Sequence, residues 1–212
     1  MDCLPIFTEL SIDETLFLIN LQSSYLIRPY IVLDCKSLII NIINVYKGFR
    51  DYFKNQKISL PELGDYAVGM VFLPNDITRS SIAQKAVEQA ISDEGQIFIG
   101  WRDVPTDDTV LGDSVINNKP IIKQFFIQRS SKCIDENHFQ RKLYVIRKTV
   151  HKKIHQSNLL EWEDFYIVSL STRTIVFKGM VLAPNLSKFY VDFQDTKFET
   201  AIALFHLSLI HI

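Results

Sequence analysis

The run DYAVGMVFLP, beginning at Asp65, gathers β-branched and aromatic residues and is closed by Pro74, a pattern that predicts a buried strand. The period then changes. In NDITRSSIAQKAVEQAISDEG the residues Ile82, Ala83, Ala86, Val87, Ala90 and Ile91 fall on one helical stripe, with Asp76 or Thr78 expected as the cap and Gly95 as the end. QIFIGW predicts a second strand. Residues 103–119, with Pro105, Gly112, Asn117 and Asn118, predict a long turn-rich loop of the kind that is usually functional or mobile. PIIKQFFIQ predicts a third strand, and 135–156 a helix whose positions Phe139, Leu143, Val145, Ile146, Val150 and Ile154 approximate one apolar face, with lysines and arginines opposite. DFYIVSLSTRTIVFKGMVL predicts two strands, 164–170 and 174–178, joined by a Ser-Thr-rich hairpin turn. TAIALFHL predicts a last buried strand. Residues 1 to about 50 are apolar without a clean period, and the pattern assigns them no element. Their most apolar stretch, SLIINIINV at 37–45, is a core segment, well short of the roughly 18 to 20 residues that cross a bilayer.

Composition narrows the function classes. A chain of 212 residues with 47% hydrophobic content can build a substantial core. With 23 basic and 24 acidic side chains, the net charge of −1 argues against a phosphate-backbone binder. Cys3, Cys35 and Cys133 are odd in number and form no C-x-x-C pair, so neither a disulfide framework nor a zinc ribbon follows. The opening MDCLPIFTELSIDETLF has acidic residues where a targeting signal is basic, so no targeting peptide is evident and an intracellular protein is expected.

Candidate chemistry is sparse. His151 and His155 stand one helical turn apart, a spacing that can chelate a metal, but the Glu of H-E-x-x-H is missing and a solvated basic face explains them better. That face, from Arg141 through Lys153, could touch an acidic partner or RNA, yet it lacks interleaved aromatics for base stacking. Asp103, Asp107, Asp108 and Asp113 lack calcium-loop spacing and read as turn-forming or capping residues. Cys133 lies near His138 in sequence, which is weak ground for a catalytic pair. No phosphate-cradle, dinucleotide or serine-hydrolase motif occurs.

Five blocks in order, LPELGDYAVGMVFLP (60–74), GWRDVPTDDTVLG (100–112), RKLYVIRK (141–148), DFYIVSLSTRTIVFKGM (164–180) and FETAIALFH (198–206), resemble the amino-terminal glutamine amidotransferase domain of the glutamate synthase large chain, with the ferredoxin-dependent type favoured. The resemblance covers about 52–206, leaving 1–51 as a divergent or non-family segment and 207–212 as a non-family tail. It implies an α+β fold, the four-layer αββα sandwich of N-terminal-nucleophile hydrolases, here incomplete. It also implies a mechanism. A cysteine at the start of the mature chain, with its own α-amino group as base, attacks the glutamine amide and releases ammonia. Other domains of the large chain, carrying FMN and an iron–sulfur cluster, then use that ammonia to form glutamate from 2-oxoglutarate. Glutamine and those domains are the implied partners; neither nucleic acid nor a membrane is expected, and no cofactor within this chain.

The chain departs from the family at both ends. Cys3 is a poor candidate nucleophile because Leu4 stands where the family has Gly. After His206 the sequence LSLIHI replaces the family's Ser-Arg-Phe-Ser-Thr-Asn-Thr, whose Arg would hold the glutamine carboxylate. The expectation is a fragment of the domain that is inactive as an isolated chain. The alternative is a non-catalytic interaction module that keeps the scaffold. Arg173, Lys178 and His206 are the remaining weak candidates for substrate binding. In GQIFIGWRDVPTDDTVLGDSV, Trp101 is expected to be buried at a strand-to-loop seam with Pro105 setting the turn.

Overall fold

Strand β1 (Cys35–Asn41) runs straight into helix α1 (Ile42–Asn55), the first elements of a computed structural model that describes residues 35–156, 165–179, 181, 185–196, 198 and 203–207. Then follow β2 (Tyr66–Leu73), α2 (Ile77–Asp93), β3 (Ile97–Asp103), the short α3 (Asp113–Ile116), β4 (Ile121–Gln128) and α4 (Glu136–Gln156). Last come β5 (Tyr166–Ser171), β6 (Thr174–Lys178), the single turn α5 (Leu186–Phe189) and β7 (Ala203–Leu207). The strands form two antiparallel sheets, one of four in the order β3-β4-β2-β5 and one of three in the order β6-β1-β7.

Alternation along β2 explains the layering. Tyr66, Val68 and Met70 enter one core with Phe126 of β4 and Phe177 of β6, between the sheets; Ala67, Val71 and Leu73 enter a second core under α2 and α4. Both faces of the central strands are therefore buried, which is why their sequence is nearly continuous in apolar residues. The described residues thus build a helix layer on two sheets, an α+β sandwich, with α1 contributing Phe49 and Phe53 to the intersheet core.

Helix α2 begins where the Asp76 carboxylate accepts the Arg79 N–H at 2.7 Å, so Asp76 is the cap. It ends before Gly95, whose φ of +68° suits glycine. Helix α4 buries Phe139, Leu143, Ile146, Val150 and Ile154, but Val145 is exposed, one residue off that stripe. The predicted loop at 103–119 holds a 3-10 turn (Asp108–Val110) and α3.

The hairpin turn expected between strands 164–170 and 174–178 is instead a corner. β5 pairs with β2 and β6 pairs with β1, so residues between them carry the chain from one sheet to the other. The Ser169 hydroxyl accepts the Val176 N–H at 3.0 Å, and Thr172 is buried in the bend.

Gly69 fixes the approach of the helix layer. A Cβ there would lie 2.1 to 2.6 Å from three ring atoms of Phe125, which is fully buried and packs on Trp101 with ring centroids 5.4 Å apart. Gly69→Ala is expected to displace that ring at a cost of about 1–3 kcal/mol, read as a lower urea midpoint.

Candidate functional site

A cavity of about 480 Å³ opens between the ends of the two sheets. Phe72 of β2 and Ile122 of β4 form one wall, Leu111 and Val115 a second, and Val181 and Phe189 a third. Its polar lining is Asn118, Lys119 and Lys178. These residues come from four stretches of chain, at 72, 111–122, 178–181 and 189, that the sheet packing brings together. Lys178 ends β6, and its carbonyl accepts the Tyr190 hydroxyl at 2.6 Å, which pins the strand end. Burial pushes the Tyr190 phenol well above its ordinary pKa, so it remains a neutral donor. The Lys178 ammonium lies 4.9 Å from the centre of the Tyr166 ring.

Two of the sequence candidates share a register. Ser37 of β1 pairs with Lys178 on one side and with His206 of β7 on the other, so Lys178 and His206 lie in one row across the three-stranded sheet, at the cavity end. Lys178 offers a cation for a carboxylate. Among the described residues the cavity lining includes no thiol, hydroxyl or imidazole, and its two lysines suit the binding of an anion. Cys3 lies outside the described residues.

Arg173 belongs to the corner between the sheets. Its Nε and Nη2 donate to Glu136 Oε1 and Oε2 at 2.8 and 3.0 Å, tying the corner to the first turn of α4. The Thr172 hydroxyl also donates to Glu136 Oε1, at 2.7 Å. Arg173, and then Thr172, hold the Glu136 carboxyl down from an ordinary 4.5 to about 2. A depressed carboxyl pKa contributes stability above the unfolded value and loses it as pH falls through the folded one. Glu136→Gln is therefore expected to be less stable than the parent at pH 7, with the gap closing between pH 4.5 and 2 in melting curves. The Glu136 side chain is 35% exposed, so screening holds the pH 7 difference to about 1 kcal/mol or less.

The other candidates resolve into local structure. Asp103 pairs with Lys123 at 2.8 Å, Asp107 caps the 3-10 turn through the Thr109 N–H at 3.0 Å, and Asp108 pairs with Lys119. Asp113 opens α3. The buried Cys133 thiol donates to Gln96 Oε1 at 3.6 Å, while His138 Nδ1 accepts the Ile134 N–H, so the two do not form a nucleophile–base pair. His151 and His155 lie with their rings tilted and centroids 6.3 Å apart; burial, and next Arg147, lowers the His151 pKa. Among the described residues no three His, Cys, Asp or Glu side chains are placed to hold a metal ion. Trp101 is half-buried, and its indole N–H donates to Glu88 Oε1 at 2.7 Å.

Sequence reasoning missed the polar group inside the intersheet region. Arg102 forks onto Asp192, 2.5 and 2.9 Å, donates to Gln124 Oε1 at 2.8 Å, and lies over the rings of Phe49 and Tyr52. No local signal marks two residues 90 positions apart. An arginine directly after the apolar run Ile97–Trp101 of β3 was the available clue.

Comparison with known proteins accounts for this architecture. The family model for class-II glutamine amidotransferases matches residues 38–209, from β1 through β7. The glutamate synthase [NADPH] large chain of Bacillus subtilis (strain 168) is 38% identical over 173 residues, 82% of this chain and 11% of that protein. Ferredoxin-dependent glutamate synthase 2 of Synechocystis is 34% identical over 155 residues, 73% of this chain and 9% of that protein. The chloroplastic ferredoxin-dependent glutamate synthase of Oryza sativa subsp. japonica is 33% identical over 159 residues, 74% of this chain and 10% of that protein. The chain thus spans about a tenth of the length of these relatives, which include both NADPH and ferredoxin types. Two facing antiparallel sheets, a helix layer and a match that takes in every strand together place this chain in the class-II glutamine amidotransferase family.

Proposed function

We propose that these residues form scaffold of the glutamine amidotransferase part of a glutamate synthase, in which ammonia from glutamine feeds glutamate formation from 2-oxoglutarate. The observation that carries this reading is the 38% identity over 173 residues, 82% of this chain, to a glutamate synthase large chain. In this reading Lys178 and His206, in one row at the cavity end, border the substrate region, and Arg173 is architectural. The flavin and iron–sulfur chemistry belongs to the rest of such a protein. No helix among the described residues is long and apolar enough to cross a membrane. An intracellular location, in plastid or cytoplasm, accords with this function.

The 212-residue chain by itself is not a glutaminase in this proposal, because Leu4 follows Cys3 and the family's carboxylate-holding Arg is absent after His206. Incubated with glutamine, the purified chain is expected to release no ammonia above a blank. Ammonia release that disappears in Cys3→Ala would contradict the inactive reading. Sequencing the transcript on both flanks, read in all three frames, tests the fragment reading: Cys-Gly upstream and His-Ser-Arg-Phe-Ser-Thr-Asn downstream are expected, and stop codons in an intact transcript would favour a non-catalytic interaction module.

A further inference from the structure

Helix α4 carries six Lys and Arg residues against one carboxylate, Glu136. Three of the cations are already committed. Lys142 pairs with Glu94 at 2.8 Å, Lys153 with Asp93 at 2.7 Å, and Arg147 donates to the Ile167 carbonyl at 2.9 Å. Glu136 is held by Arg173 and Thr172. Arg141, Lys148 and Lys152 are exposed and have no carboxylate partner among the described residues. They recur at i, i+7 and i+11, one stripe that extends about 16 Å along the helix. Inside the stripe lie Tyr144, 62% exposed, and Val145, 39% exposed, with the Lys148 ammonium 5.6 Å from the centre of the Tyr144 ring. The acidic groups nearest in the helix layer are thus used up, while an apolar spot and three cations remain on its outer face.

We propose that this stripe docks an acidic protein surface, with carboxylates opposite Arg141, Lys148 and Lys152 closing over Tyr144 and Val145. Charge selects the partner and speeds encounter, whereas affinity comes from desolvating the tyrosine and the arginine, residue types that anchor protein interfaces. Exposed Tyr144 corrects the expectation that this face has no interleaved aromatic, but a nucleic acid is still the poorer occupant. It would gain three phosphate contacts and one stacking ring from a chain of net charge −1, too little for a salt-resistant complex. This inference does not depend on the amidotransferase reading.

The test is fluorescence anisotropy on the full chain with a labelled helical peptide of about sixteen residues, Glu at i, i+4, i+7 and i+11 with Leu and Phe between them. Binding is expected at about 50 mM salt and weaker at about 200 mM. Charge reversal at three exposed sites, R141E/K148E/K152E, is expected to weaken it about tenfold or more and to create binding to the same peptide with Lys in place of Glu. Tyr144→Ala is expected to weaken binding about threefold or more while leaving the salt dependence unchanged. Circular dichroism melts establish that both variants fold. Equal binding of the Glu peptide to parent and triple variant, no binding of it to the parent, or tighter binding of single-stranded DNA or phosphatidylserine vesicles would overturn the proposal.

Discussion

Asp192→Ala is expected to destabilise the chain by about 3–5 kcal/mol, a loss of roughly 6–20 °C in melting temperature for a chain of this size. The side chains of Arg102 and Asp192 are only 11% and 9% exposed, so deleting the carboxylate leaves a guanidinium desolvated and unpaired. Gln124 and the rings of Phe49 and Tyr52 still hold that guanidinium in place, which prevents it from swinging out to water cheaply. The pair links β3 of the four-stranded sheet to the 3-10 turn Val191–Gln194, the described turn before β7. Removal of both charges by Arg102→Met with Asp192→Leu is expected to cost much less than the sum of the single changes, since the expense lies in the orphaned charge. Thermal and urea unfolding of the two single variants and the double variant measure this coupling. Equal, additive losses would mean that the residues act as separate packing elements.

The same region shows what was and was not legible beforehand. β2 and β4 could be read from sequence because both faces are buried and their apolar runs are bounded by Pro74 and Pro120. Helix α2 was legible down to its alternatives for the cap, since Asp76 and Gly95 act locally. β1 and α1 were not, because strand passes to helix at Asn41–Ile42 with no glycine or proline between, so neither period stands clear. The corner at Ser171–Thr174 has the composition of a hairpin turn, and composition does not encode that β5 and β6 find partners in different sheets. The cavity was invisible for a related reason: Phe72, Leu111, Ile122, Lys178 and Phe189 read in sequence as ordinary core and surface residues. What pointed to the family was the order of long blocks, and residues within them make architectural contacts, such as Trp101 on Glu88 and Arg102 on Asp192.

Phe126→Ala is the packing change expected to cost most, about 3–5 kcal/mol, because the side chain is fully buried and the site cannot collapse easily. Phe126 meets Phe49 edge-on at 5.1 Å and Phe53 at 4.6 Å, and stacks on Tyr66 at 6.3 Å between ring centroids. Two of those three partners belong to α1. The cavity would therefore open beneath that helix, and the aromatic pair energies of about 0.5–1.5 kcal/mol each would be lost with the buried area. Phe125, the preceding residue, faces the opposite way onto Gly69 and serves the helix layer, so Phe125 and Phe126 report on different cores. Native-state hydrogen exchange separates them. In Phe126→Ala the amides of α1 are expected to lose protection before those of α2 and α4, whose core is on the far side of the sheet. A uniform loss across all three helices would show instead that the two cores open as one cooperative unit.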